Sequence, residues 1–301
     1  MLQPRDTGDF LAASFGRTCA DIDELLDSAL ALPGDGRDRL YQAMRHAAIA
    51  GGKRLRPLLV IAASDLFGVP RASALRTGLA VECIHVHSLI HDDLPCMDDD
   101  DLRRGKPTVH KAFCEATAVL AGDALHALAF EILADIATHA DGAVRSELVR
   151  NLAFAAGGAG MAGGQILDLF PQEGAEVDAV IRLQRLKTGA LIEWCVEAGA
   201  ILGGASQQAR MSLRGYGQCL GLAFQIADDL LDVEGSEAKV GKRLRKDEVA
   251  GKASFISLLG RDRARAQADL LIAQAKDHLH PFGHDASLLH AIADFAIARD
   301  R

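Results

Sequence analysis

Apolar residues recur at spacings of three and four along most of the chain, as at Leu120, Ala124, Leu125, Leu128, Ile132 and Leu133, while alternating runs of period two are scarce. This pattern predicts helices. Their ends are set by Gly51-Gly52 ahead of Pro57, by Gly68-Val69-Pro70, by Pro95 and Pro107, and by Gly203-Gly204. Helices are expected over 17–31, 37–50, 57–67, 71–94, 108–138, 143–168, 176–202, 206–233, 254–258, 261–279 and 285–299. No fixed-period repeat relates them, which disfavours a solenoid. No Pro/Ser-rich seam or charge block divides the sequence. The expected fold is therefore all-α, one domain over 1–301 built as a bundle of about ten helices.

Composition sharpens this picture. With 5% aromatics and 29 glycines among 301 residues, the volume must be filled by Ala, Leu, Ile and Val, which suits closely packed helices better than a sandwich. A formal net charge of −8 offers no field for a phosphodiester backbone or an anionic bilayer, so nucleic acid is not an expected partner. Six cysteines, at 19, 83, 96, 114, 195 and 219, form no CxxC and have no histidine at zinc spacing. They read as buried small apolar residues in a reducing compartment. Met1–Phe10 carries Arg5, Asp6 and Asp9 with no apolar core, and the most apolar later stretch, Leu152–Gly164, is too short to span a bilayer. A cytoplasmic protein without stable membrane insertion is expected.

Two acidic clusters stand out. Asp92, Asp93, Asp98, Asp99, Asp100 and Asp101 fall within ten residues, between two apolar helical stretches, where their repulsion demands internal compensation. Mg²⁺ suits such hard oxygen ligands, since it is held by one or two carboxylates together with substrate phosphate and water. The second cluster, Asp228-Asp229-Leu230-Leu231-Asp232, follows an apolar run, with Asp228 and Asp232 on one helix face. Alone, such a motif is equally a cap or a solvated face. Two of them, each closing an apolar helix, let carboxylates face each other across a pocket and hold several Mg²⁺ ions.

Metals held this way need an anion, and the cations suggest which. Gly51-Gly52-Lys53-Arg54-Leu55-Arg56-Pro57 puts three cations at a helix junction, with the next helix N-terminus adding its dipole, a phosphate-binding layout without Walker spacing. Arg103-Arg104 follow the first acidic cluster directly; they either grip two different anions or pair with Asp99–Asp101. Gly235–Lys252, with Lys239, Lys242, Arg243, Arg245, Lys246 and Lys252, is either a solvated basic connection or a flap closing over an anion.

These motifs together resemble the trans-isoprenyl diphosphate synthases of the short-chain bacterial type, similar to farnesyl and geranylgeranyl diphosphate synthases. The resemblance rests on DDLPCMD at 92–98 continued by DDDLRRGKPT, DDLLD at 228–232, GGKRLRP at 51–57, KTGAL at 187–191, GLAFQIADD at 221–229 and GKR at 241–243. It implies an all-α bundle around a deep central cavity and Mg²⁺-dependent condensation of isopentenyl diphosphate with an allylic diphosphate. Asp92, Asp98 and Asp228 are then the metal ligands, while Asp93, Asp229 and Asp232 orient water or ligands. The isopentenyl diphosphate falls to Lys53, Arg56 and His85 with Arg104 beside them, and the allylic diphosphate to Arg103, Lys187 and Lys242. The Lys187 carbonyl, Thr188 and Gln225 shelter the cation. The family also suggests a homodimer.

Tail length is set by the wall upstream of Asp92, past Ser88, His87 and Ile84. His87 is bulkier than Ala or Ser, so the expected product is C15 farnesyl diphosphate, with C20 geranylgeranyl diphosphate as the alternative. Lys53, Arg56 and Arg104 argue against a class I terpene cyclase, which needs no second diphosphate site. Both acidic clusters are intact, which argues against a non-catalytic synthase subunit.

Overall fold

The computed structural model describes residues 4–49, 51–171, 176–234 and 254–298. Helices α1 (Pro4–Ala29), α2 (Asp38–Ala48), α3 (Leu55–Asp65) and α4 (Arg71–Asp92) lead to a short hairpin, β1 (Leu102–Arg103) paired antiparallel with β2 (Lys106–Pro107). There follow α5 (Val109–Ala112), α6 (Glu115–Ala134), α7 (Gly142–Ala156), α8 (Met161–Leu169) and α9 (Val177–Gln184). A π-helical turn over Arg185–Gly189 joins α9 to α10 (Ala190–Leu202), then come α11 (Gln207–Glu234), α12 (Phe255–Leu259), α13 (Arg261–His278) and α14 (Ser287–Ala298).

Where observed boundaries depart from the expected ones, the cause is local. Helix α1 starts well before residue 17 because its inward stripe, Leu11, Ser14, Thr18, Ile22 and Leu26, includes two hydroxyl residues that hide the spacing. Ser14 spends its hydroxyl on the Phe10 carbonyl, 2.9 Å away, and so packs without an unmet polar group. The segment expected over 108–138 breaks at Cys114, whose backbone is extended, and the one over 143–168 breaks across Gly157–Gly160. The hairpin is too short to show an alternating pattern.

Helices α3 and α10 form the centre. Pro57 through Ser64 are buried without interruption, and so is every residue of Leu191–Leu202 except half-buried Glu193, so both helices are enclosed on nearly all sides. Helix α10 packs on α3 and α11, α4 lies between α3 and α6, and α13 lies along α11, with the buried apolar side chains forming one continuous core. Contrary to expectation, one helix among the described residues, α6, is long and apolar enough to cross a membrane. It packs against α4 and buries Ala118, Ala121, Leu125, Ala129, Ile132 and Leu133. The cysteines also correct the sequence reading: Cys83 and Cys195 are buried, Cys19 and Cys219 half-buried, but Cys96 and Cys114 are exposed.

Candidate active site

Helix α4 delivers Asp92 at its last turn, and the following loop folds back so that the Asp98 amide donates to the Asp92 carbonyl at 2.8 Å and the Asp100 amide to that of Asp93 at 3.2 Å. The acidic run is thereby divided. Asp93, buried, is clasped by Arg103 through bonds of 2.6–2.9 Å, and Asp101 meets Lys111 at 2.8 Å. Arg103 thus pairs chiefly with Asp93 rather than with Asp99–Asp101, and it is held beside Asp92 rather than free to swing. Burial pushes the Asp92 carboxyl up to about 6, with Asp98 adding to the rise while Lys187 opposes it. A carboxylate short of compensating charge beside a second carboxylate is a place that attracts a cation.

Facing it, the π-helical turn carries Lys187 and Thr188. The turn is clamped on two sides by glycines: a Cβ on Gly164 of α8 would lie 2.2 Å from the Lys187 amide nitrogen, and one on Gly221 of α11 would lie 2.9 Å from the Gly189 Cα. Lys187 Nζ is held by Asp168 of α8 at 2.8 Å. Thr188 Oγ1 donates to the Gln225 amide oxygen at 3.2 Å, and the Gln225 amide nitrogen donates to Asp229 at 3.3 Å. Buried Asp229 also accepts the Phe255 amide at 3.0 Å, so it ties α12 to α11 while aiming Gln225. Asp168 escaped the sequence reading because its role depends on a lysine nineteen positions away.

The third wall is cationic. Burial, followed by the guanidiniums of Arg56, Arg104, Arg103 and Arg54, drives His85 well below its ordinary value, so it stands neutral among cations. Arg104 donates to the Gly51 carbonyl and lies against Gly52, whose φ of +132° and missing side chain make room for it. Its own pKa is lowered, by burial first, with Arg54, Arg103 and Arg56 contributing. Arg54 is different: it is fully buried, bonded to Glu82 at 2.7 Å and to Asp23 at 2.6 Å, and holds a left-handed backbone at the start of α3. Exposed Lys53 sits over the Phe295 ring of α14, 4.7 Å from its centroid.

A cavity of about 420 Å³ joins these walls. Of the expected residues, Arg56, His85, Asp92, Lys187 and Thr188 border it, along with His87 and Ser88. Gln225 reaches it through Thr188, whereas Arg103 and Arg104 border a separate small crevice beside Asp93. Ile84 does not belong to the wall; it is fully buried in the core. Met97 and, on α8, Met161, Ile166 and Leu169 supply an apolar side that the sequence reading missed. Asp98 lies half-buried in the loop after α4, and Asp228 and Asp232 lie half-buried on α11. Lys242 and the whole basic segment Gly235–Lys252 lie outside the described residues.

Among the described residues no three His, Cys, Asp or Glu side chains are gathered closely enough to hold an ion by themselves. Mg²⁺ does not require this, because phosphate oxygens and water complete its shell. The donors present, aspartate oxygens with Asp92 under-compensated at the cavity wall, fit that ion.

Comparison with known proteins agrees with this geometry. Residues 37–281 match the family model described as polyprenyl synthetase. The chain is 48% identical over 269 residues to the farnesyl diphosphate synthase of Escherichia coli (strain K12), covering 87% of this chain and 90% of that protein. It is 45% identical over 268 residues to a chloroplastic geranylgeranyl pyrophosphate synthase of Catharanthus roseus, covering 87% of this chain and 74% of that one. Among solved structures, an FPP/GFPP synthase from Zymomonas mobilis superposes with a TM-score of 0.88 at 52% identity, covering 96% of this chain and 99% of that chain.

Proposed function

The chain belongs to the polyprenyl synthetase family, and from that premise we propose the residue roles by which it works as a prenyltransferase, condensing isopentenyl diphosphate with dimethylallyl or geranyl diphosphate to give farnesyl diphosphate and pyrophosphate. One observation carries the reading: a single cavity is bordered by the Arg56–His85 cationic wall on one side and by Asp92, Lys187 and Thr188 on the other. Two diphosphates need two separate sets of cations, and a one-substrate cyclase would have no use for the first set.

In this reading Lys53, Arg56, neutral His85 and Arg104 hold isopentenyl diphosphate. Arg103, Lys187 and Lys242 hold the allylic diphosphate, with Arg103 aligned by Asp93 and Lys187 by Asp168. Asp92, Asp98 and Asp228 would hold Mg²⁺, which when bound neutralises the leaving diphosphate. The Lys187 carbonyl, the Thr188 hydroxyl and the Gln225 amide oxygen present dipoles to the allylic cation, and the Thr188–Gln225–Asp229 chain fixes their aim before charge develops. The departing pyrophosphate takes the final proton.

The same reading treats 1–301 as one synthase domain, places it in the cytoplasm and makes it a homodimer. Val119 and Leu120 on α6 and Phe154 on α7 are exposed apolar side chains on two helices in contact, and in this reading a second copy covers them. The test is product analysis with Mg²⁺, isopentenyl diphosphate and, separately, C5, C10 and C15 primers. A C15 end point is expected; absence of product from every primer would overturn the reading. Light scattering reads the dimer directly.

A further inference from the structure

Thr108 stands at the N-cap of α5 with an extended backbone, where a threonine hydroxyl ordinarily accepts from an amide of the first turn, yet it makes no such bond. Buried at 2% exposure, it turns its hydroxyl the other way and donates to the Asp100 carbonyl at 2.8 Å, while its amide donates to the Asp101 carbonyl at 3.0 Å. A hydroxyl has one hydrogen to give. The His110 Nδ1, 3.2 Å from the same oxygen, is therefore the donor in its own contact with Thr108. His110 is buried too, and its other ring nitrogen has no partner among the described residues, so it is through Nδ1 that the ring is tied down.

What this pair fastens is the acidic loop. The inner bonds of that loop, from the Asp98 amide to the Asp92 carbonyl and from the Asp100 amide to the Asp93 carbonyl, fold it back on α4, but they join residues whose carboxylates repel one another. Asp99 in its middle holds a left-handed backbone at a φ of +49°, a conformation that persists only where the surroundings over-determine it. Thr108 grips the far end of the loop, and Lys111 of the same short helix adds its ion pair with Asp101. We propose that Thr108 and His110 are positioning residues for the metal-holding aspartates, keeping the loop folded and Asp98 beside Asp92 before any cation arrives. The inference rests on the functional reading above.

A loop already folded needs no ordering when Mg²⁺ enters. If loss of the clip leaves the loop folded in about a tenth of the molecules, the Mg²⁺ needed for half-saturation rises roughly tenfold, because apparent affinity scales with the competent fraction. Saturating Mg²⁺ then restores the folded loop, and kcat with it. Arg56 and His85 stand on α3 and α4, outside the clipped segment, so the KM of isopentenyl diphosphate is spared.

The experiment compares wild type with Thr108→Ser, Thr108→Val, His110→Asn and His110→Leu. It measures the Mg²⁺ midpoint of the rise in melting temperature caused by Mg²⁺ with pyrophosphate, which involves no turnover, and the Mg²⁺ midpoint, kcat and KM of the condensation. Serine keeps the hydroxyl, and asparagine sets an amide N–H where Nδ1 stood, so both are expected to behave as wild type. The valine and leucine variants are expected to raise the Mg²⁺ midpoint roughly tenfold in both assays, with kcat at saturating Mg²⁺ and the isopentenyl KM changed by no more than about threefold. A lower melting temperature with an unmoved Mg²⁺ midpoint marks a merely structural clip and overturns the proposal. So does His110→Asn as impaired as His110→Leu, since the donor is then not what matters. Should His110→Leu fail to fold, Thr108→Val against Thr108→Ser decides the same question. If wild type gives neither product nor a shift with Mg²⁺ and pyrophosphate, the functional reading fails; if wild type gives both and the variants match it, this inference alone is overturned.

Discussion

Replacing His87 by alanine is expected to move the main product from C15 to C20. His87 lies five residues before Asp92, about 7.5 Å back along the helix axis, and borders the cavity. Its Nδ1 is 3.1 Å from the Gly122 carbonyl oxygen, which fixes the ring against α6. Behind it the His126 ring is centred 4.8 Å away, backed in turn by Phe130 at 5.1 Å. Removing the imidazole therefore moves the wall back to the next ring, a gain of one ring spacing. An isoprene unit adds four chain bonds, on the order of 5 Å at the advance per bond of an extended chain. The opening accommodates one more unit and not two. The assay is mass analysis of products from C10 and C15 primers, with melting curves to show that the variant is folded. An unchanged C15 end point would refute the idea that His87 is the floor. Products of C25 and beyond would show that His126 does not back it.

Four other outcomes follow from the same geometry. Asp168→Asn, which leaves Lys187 without its 2.8 Å partner, should raise the allylic KM roughly tenfold, equivalent to about 1.4 kcal/mol, while leaving the isopentenyl KM unchanged; steady-state kinetics with each substrate varied decides this. Gly164→Ala drives a methyl into the Lys187 backbone and should cost roughly 1–3 kcal/mol or more in denaturant unfolding together with loss of turnover, whereas a silent substitution would mean that α8 does not clamp the turn. Arg54→Met leaves Glu82 buried without its partner and should destabilise by about 3–5 kcal/mol, seen as a shifted urea midpoint. Burial, reinforced by His91 and His126, holds His87 down at about 4 against an ordinary 6.5, so the unfolded chain binds more protons between those values. The stability His87 contributes is complete above pH 6.5 and lost as pH falls toward 4, at most about 3 kcal/mol, and the gap between wild type and His87→Gln should change over that window; a constant gap refutes the shift.

The acidic clusters and the GGKRLRP segment were legible because charge placed between apolar helices is conspicuous in one dimension, and the helical fold was legible because the spacing of three and four is local. Which charge does what was not. Asp92 and Asp93 are adjacent, yet one is left under-compensated at the cavity wall and the other is clasped by Arg103, a distinction that arises only once the loop turns back on α4. Arg54 and Arg56 are likewise two residues apart in one motif, and burial against Glu82 and Asp23 makes the first a structural anchor while the second borders the cavity.

The π-helical turn shows why the remainder was out of reach. The KTG sequence at 187–189 says nothing about an inserted residue, and helix was the correct reading on both sides of it. The turn is produced by its neighbours: α8 and α11 approach so closely at Gly164 and Gly221 that no side chain could stand between them and the turn. A widened turn breaks the regular backbone ladder, and such turns are frequent at functional sites. Here it holds Lys187 and Thr188 against the cavity, with Asp168 and Gln225 fixing each from a separate helix. Four segments distant in sequence must therefore pack correctly before the reacting groups are aimed. The two glycines, neither of which borders the cavity, are thus as much a part of its construction as the side chains that do.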